Sequence, residues 1–225
     1  MDQNTIGKVA DATKALADTG GKMVEVTASF GRVIKGPVED LVGMVQDRVR
    51  FARWERQLAL ADKANAIMKT RGLDGPTREL PLNFAVPLLT AAVLEEDEDL
   101  QEVWARLLVN AGDKATEMEL RTAYVEILKG MSAFDVKNLA GMAKATLAIP
   151  PGRPRAVLTT DLPESTETFP GHFTKEPGTS RELGISLANL SRLGCAMPAG
   201  GSDGAVVYTI MSVTDLGLAL YQACS

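Results

Sequence analysis

The sequence predicts a mainly helical protein, with long amphipathic helices at its N-terminus, a central helical pair, and a winged-helix-like C-terminal module carrying a small β wing. Three observations lead there. Apolar residues recur at helical spacing over most of the chain. Proline and glycine gather in a few short stretches. The C-terminal part reads helix, helix, strand, helix, hairpin, helix, the order of a winged helix-turn-helix.

From Thr5 to Ile34 the residues Ile6, Val9, Leu16, Met23, Phe30 and Val33 follow helical periodicity, with charged residues between them. Gly20-Gly21 should kink this helix and Gly36-Pro37 should end it, because glycine weakens a helix and proline removes a donor. A second long helix is expected from Val38 to Thr70, stopping at Arg71-Gly72. These two make an arm over residues 1–72. The apolar face bearing Leu16, Met23, Phe30, Val33 and Ile34 suits packing in an oligomer, since small neighbouring residues let helices approach closely; the same face suits peripheral contact with a membrane.

Residues 73–118 read as a proline-containing linker followed by the helical pair. The first helix runs over Asn83–Leu94, with Pro87 tolerable only in a first turn. Glu95-Glu96-Asp97-Glu98-Asp99 then opens the second, placing negative charge where a helix N-terminus favours it. That run lacks the ligand spacing and turn glycine of a calcium loop, so helix capping accounts for it better than a cation does.

The winged-helix-like module spans 119–225. Helices are expected over Leu120–Lys129 and Phe134–Ala145, and a strand over Arg155–Thr159, within a proline-rich insertion at 147–179 that holds six of the eleven prolines. A helix over Ser180–Leu193 follows. Cys195–Met197 should then pair with Val206–Ile210 across a loop from Pro198 to Gly204, and Thr214 should cap a closing helix.

Hydrophobic residues make up 45 % and charged residues 24 %, an ordinary soluble balance, whereas aromatics are only 5 %, so the cores must rest on Leu, Val, Ala, Met and Ile. A net charge of −5 gives no global attraction to nucleic acid. The two cysteines, Cys195 and Cys224, form no CxxC pair and suit core positions in a reducing, cytoplasmic setting. Neither a secretory leader nor a spanning helix is legible.

Catalytic motifs are not evident. His172 is the only histidine, no GxSxG elbow surrounds a serine, and neither a phosphate-binding loop nor a dinucleotide fingerprint occurs. The expectation is a protein without enzymatic activity, metal or cofactor. Arg48, Arg50, Arg53 and Arg56, interleaved with Phe51 and Trp54, form the densest basic cluster, and could meet phosphates or simply be a solvated helix with Trp54 at an interface. In the candidate recognition helix Arg181, Ser186, Asn189 and Arg192 are the groups able to touch a partner, DNA included. Basic and acidic residues balance nine against nine over Arg121–Ser225, which favours protein contact over a DNA-reading surface.

Four fragments in order bear a family resemblance: Leu88–Ala92 continuing through Leu94–Ala111, Tyr124–Ser132, Ser186–Gly194 and Tyr208–Tyr221. Together they resemble abortive-infection alpha proteins, over roughly Leu80 to the C-terminus and outside the proline-rich insertion. The resemblance implies a bacterial or prophage-borne protein of phage exclusion, with no catalytic residues to carry over. Together with the amphipathic arm, this gives the expectation of a cytoplasmic homo-oligomer that meets a phage or host protein, with a DNA-binding regulator and an effector that joins the membrane on activation as the alternatives.

Overall fold

The computed structural model describes residues 50–150, 152–153, 155–169, 179–199 and 208–225, with side chains from residue 55 onward. The helix expected over Thr5–Ile34 and the start of the one expected from Val38 lie outside the described residues. The described fold is mainly helical with one small antiparallel sheet: α1 (Arg50–Thr70), α2 (Leu82–Leu94), α3 (Glu98–Gly112), a 3-10 turn (Lys114–Thr116), α4 (Thr122–Lys129), α5 (Ala133–Leu147), β1 (Ala156–Leu158), α6 (Arg181–Arg192), β2 (Ala196–Pro198), β3 (Ile210–Val213) and α7 (Asp215–Ala223). Two compact units divide the chain. One runs up to Glu95 and resumes over Trp104–Leu120; the other takes Glu96–Val103 and Arg121–Ser225.

In the first unit α1 stops where its sequence says it should. Gly72 takes a left-handed φ of 68°, its N–H reaches the Lys69 carbonyl, and the Leu73 N–H reaches back to Met68. That is a Schellman cap, which satisfies carbonyls the helix leaves open. Leu60, Ala61, Ala64 and Met68 form the buried stripe of α1, and Phe84, Ala85, Leu88, Ala92 and Val93 that of α2. The two helices pack together, with alanines allowing close approach; full burial of a leucine or phenylalanine contributes about 1.5–3 kcal/mol.

One expectation needs correction here. Pro87 lies beyond the first turn of α2, so the Asn83 carbonyl loses its intrahelical donor; burial of the flanking Phe84 and Leu88 holds the helix together regardless. α2 rests on α1, and its C-cap residue Glu95 is extended.

The linker closes onto the end of α3 through Thr77 and Arg78. Arg78 donates from Nε to the Ala111 carbonyl at 2.8 Å and from a terminal nitrogen to the Met118 carbonyl at 2.9 Å. The backbone N–H groups of Thr77 and Arg78 both reach the Gly112 carbonyl at 2.9 Å. A guanidinium thus satisfies carbonyls at a helix C-terminus, where positive charge is also favoured by the helix dipole. Arg78→Ala is expected to destabilise the protein by about 2 kcal/mol, read as a lower urea midpoint with unchanged slope, because charge-assisted bonds of this kind contribute about 1.5–3 kcal/mol.

In the second unit the first two carboxylates of α3, Glu98 and Asp99, follow Asp97, whose side chain accepts from the Asp99 and Leu100 N–H groups. The acidic run therefore caps α3, as the sequence suggested. The sheet runs in the order β1-β3-β2, all antiparallel. Ala196 faces Val213 and Pro198 faces Met211, so the hairpin forms but its second strand is Ile210–Val213, later than the Val206–Ile210 expected. Tyr208 and Thr209 form a turn, and Val206 and Val207 lie outside the described residues. Thr214 fixes the register: its N–H donates to the Cys195 carbonyl while its side chain caps α7.

Candidate functional site

In the second unit α6, the helix that carries the expected partner-contacting residues, is joined to α5 by a buried polar cluster. Ser132 and Asp135 build a capping box at the start of α5, with the Asp135 carboxylate accepting from the Ser132 N–H at 2.8 Å. The same carboxylate accepts from Ser186 Oγ at 2.6 Å and from Asn189 Nδ2 at 3.0 Å, both on α6. Asn138 Nδ2 donates to Ser186 Oγ at 2.9 Å, and Asn189 Nδ2 also reaches the Gly130 carbonyl, 2.8 Å away at the end of α4. Asp135, Asn138 and Ser186 are buried, so their hydrogen bonds form away from water and are expensive to leave unmade.

This arrangement decides what α6 can show to a partner. The Asn189 amide is used within the fold, and its oxygen accepts from Arg192 Nε and Nη2 at 3.1 and 2.7 Å. Arg181, at the first turn after the Ser180 cap, is exposed, as is Arg192 at the other end. Between them Ile185 is 62 % exposed. Residues four, seven and eleven positions apart share a helix face, so Arg181, Ile185, Ala188 and Arg192 form one outward stripe with cationic ends and an apolar centre. The sheet adds Met197, which is also exposed.

The other expected contact residues are placed as follows. Arg50, Arg53 and Trp54 are on α1, but their side chains lie outside the described residues, as does Arg48 altogether. Arg56 is half-buried. The proposed oligomer or membrane face of Leu16, Met23, Phe30, Val33 and Ile34, and also His172, lie outside the described residues. Asp99 in the acidic run pairs with Lys137 at 2.7 Å, a hydrogen bond that raises the lysine's pKa. Cys195 is buried, with its thiol pushed up to about 11 by desolvation, and behaves as a core side chain; Cys224 is half-buried. Among the described residues no His, Cys, Asp and Glu cluster could hold a metal ion, and no helix is long and apolar enough to cross a membrane.

Asp135 and Asn138 were not among the residues singled out from the sequence. The Ser132-x-x-Asp135 spacing is the legible part, since a serine three residues before an acid marks a helix start. Nothing local signals that the same carboxylate receives Ser186 and Asn189 from a helix some fifty positions on.

Neither a curated protein nor a solved structure matches the chain. The family model described as abortive infection alpha matches residues 55–224, beginning earlier than Leu80 and so taking in most of α1. That span covers both compact units of the described fold, and the chain belongs to the abortive infection alpha family.

Proposed function

We propose that this family member acts in abortive infection of phage-infected bacteria without catalysing a reaction, through contact with a phage or host protein and through self-association. The observation that carries the contact half is the outward stripe of α6, where Ile185 stands in water between two arginines while Ser186 and Asn189 turn inward. A surface that places an apolar side chain at its centre and charges at its rim is the composition of a protein interface. The residues before the linker, 1–72, are read as the associating or effector arm, and 119–225 as a winged-helix-like sensor. The order α4, α5, β1, α6, β2, β3, α7 with sheet order β1-β3-β2 supports the latter reading.

Bacteria expressing the intact chain are expected to survive as a population at low phage dose and to die or arrest at high dose. Replacing Phe30, Val33 and Ile34 together by Glu should return plating efficiency to that of unprotected cells, a change of several orders of magnitude. Full protection by the substituted chain would remove the N-terminal arm from the mechanism.

The strand order favours one second reading, a DNA-binding regulator of a prophage or defence locus, since a winged helix presents its third helix to the major groove. Against it, the Asn189 amide that would read a base edge is already bonded to Asp135 and Gly130. Fluorescence anisotropy with duplex DNA at low and high salt separates the two readings: no salt-dependent binding is expected, and a steep salt dependence would favour the regulator.

A further inference from the structure

Along one stripe of α6 stand side chains whose charge or apolar surface the fold leaves unmatched. Arg181 occupies the first turn, where the helix dipole disfavours a cation, and no acid among the described residues pairs with it. Ile185 leaves 62 % of its surface in water, while the inward side of the helix is filled by Leu183, Leu187 and Leu190. Arg192 donates to the neutral Asn189 amide oxygen and, among the described residues, to no carboxylate. An exposed isoleucine alone is ordinary. One with an unneutralised guanidinium four positions before it and another seven positions after it, on the same helix face, is a pattern.

From this pattern we infer that the α6 stripe takes an acidic amphipathic helix of the partner protein, whose carboxylates meet Arg181 and Arg192 and whose apolar side chains cover Ile185 and Ala188. The inference rests on the contact reading above and names the partner's chemistry. Charge complementarity selects it. The two arginines lie eleven positions apart, about 16 Å along the axis, or three turns. A helix laid along α6 with acids three turns apart and apolar residues between them therefore reaches both at once. Arginine binds a carboxylate through two parallel bonds, and the whole fork of Arg181 is open to one. Glu182, the one acid of α6, lies about 90° round the helix from the midline of the stripe and leaves it cationic. Duplex DNA matches the arginines alone: it would press Ile185 into a polar groove, and the Asn189 amide is already held by Gly130 and Asp135.

The test titrates the full chain into fluorescent probes and reads anisotropy. One probe is an alanine-rich helical peptide with glutamate, leucine, leucine and glutamate at the spacing of the stripe itself; a second has lysine for each glutamate; a third is a short DNA duplex. The acidic peptide is expected to bind, more weakly at high salt, and to lose about tenfold or more in affinity for the Arg181→Glu chain. That variant replaces an exposed side chain by one that the helix N-terminus favours, so an unchanged or raised melting temperature verifies its fold. Equal affinity for the acidic and basic peptides, or for the parent and Arg181→Glu chains, overturns the inference. Tighter binding of the duplex than of the acidic peptide overturns it in favour of phosphate. Phage plating separates these failures from failure of the contact reading. Loss of protection on Ile185→Glu without acidic-peptide binding by the parent overturns the acidic partner alone, and full protection by the Arg181→Glu and Ile185→Glu chains overturns contact through α6 itself.

Discussion

Gly217→Ala is expected to unfold more of the protein per atom added than any other change, costing at least about 3 kcal/mol where the same swap in an ordinary helix gains about 1 kcal/mol. A Cβ at this position would lie 2.0 Å from the Cys195 carbonyl oxygen and 2.8 Å from its carbon. Both are backbone atoms, so no rotamer change relieves the overlap. Either α7 moves away from the end of α6 or the start of β2 shifts, and each movement strains the same set of bonds. Thr214 donates through its N–H to the Cys195 carbonyl, its hydroxyl donates to the Gly194 carbonyl at 2.6 Å, and the Gly217 N–H donates to that hydroxyl. Denaturant titration gives the result directly: a lower midpoint is expected, and a raised midpoint would mean that α7 and β2 do not approach as described.

Asp135→Ala ranks second, at about 3 kcal/mol, because it takes the shared acceptor from the Ser132 N–H, the buried Ser186 hydroxyl and the Asn189 amide, of which only Asn189 keeps another, the Gly130 carbonyl. Asp135→Asn retains one acceptor oxygen but presents an amide to the other donors, so about half that loss is expected. Ser186→Ala should cost less than either, since Asp135 loses one donor but keeps those of Ser132 and Asn189, and Asn138 loses one acceptor. Thermal unfolding of the three variants ranks them. Equal effects of Asp135→Ala and Ser186→Ala would show that the carboxylate is not the hub. A double-mutant cycle between Asp135 and Asn189 should return a coupling of about 1 kcal/mol or more, given their direct contact.

Features governed by a few adjacent residues were legible from the chain. Arg71-Gly72 stopped α1, Thr214 capped α7, and the acidic run opened α3, because each of these is a contest between local backbone groups and nearby side chains. Features set by distant partners were not. The hairpin's second strand came later than its β-branched residues suggested, since its position is fixed by Thr214 binding Cys195. Pro87 survived beyond the first turn through burial that a helix rule cannot see. Asn189 was named for an outward role that its polarity fits equally well inward, and only the placement of Asp135 and Gly130 distinguishes the two. The α6 stripe was half legible: Arg181 and Arg192 stood out by charge, whereas Ile185 reads in sequence as core.

The sheet carries a consequence for how the chain behaves when crowded. β1 is covered on both sides, by β3 and by the segment whose Glu167 carbonyl receives the Leu158 N–H and whose Phe169 N–H reaches Ala156. Cys195 and Ala199 bond towards β3, so alternate residues Ala196 and Pro198 turn their backbones away from it, and Pro198 has no N–H to offer there. With one flank occupied and the other blunted by proline, the sheet gives an incoming strand little to template on, and open-ended fibre growth along it is blocked. At high concentration the β structure therefore stays inert towards neighbouring molecules, and contact between them is left to other surfaces.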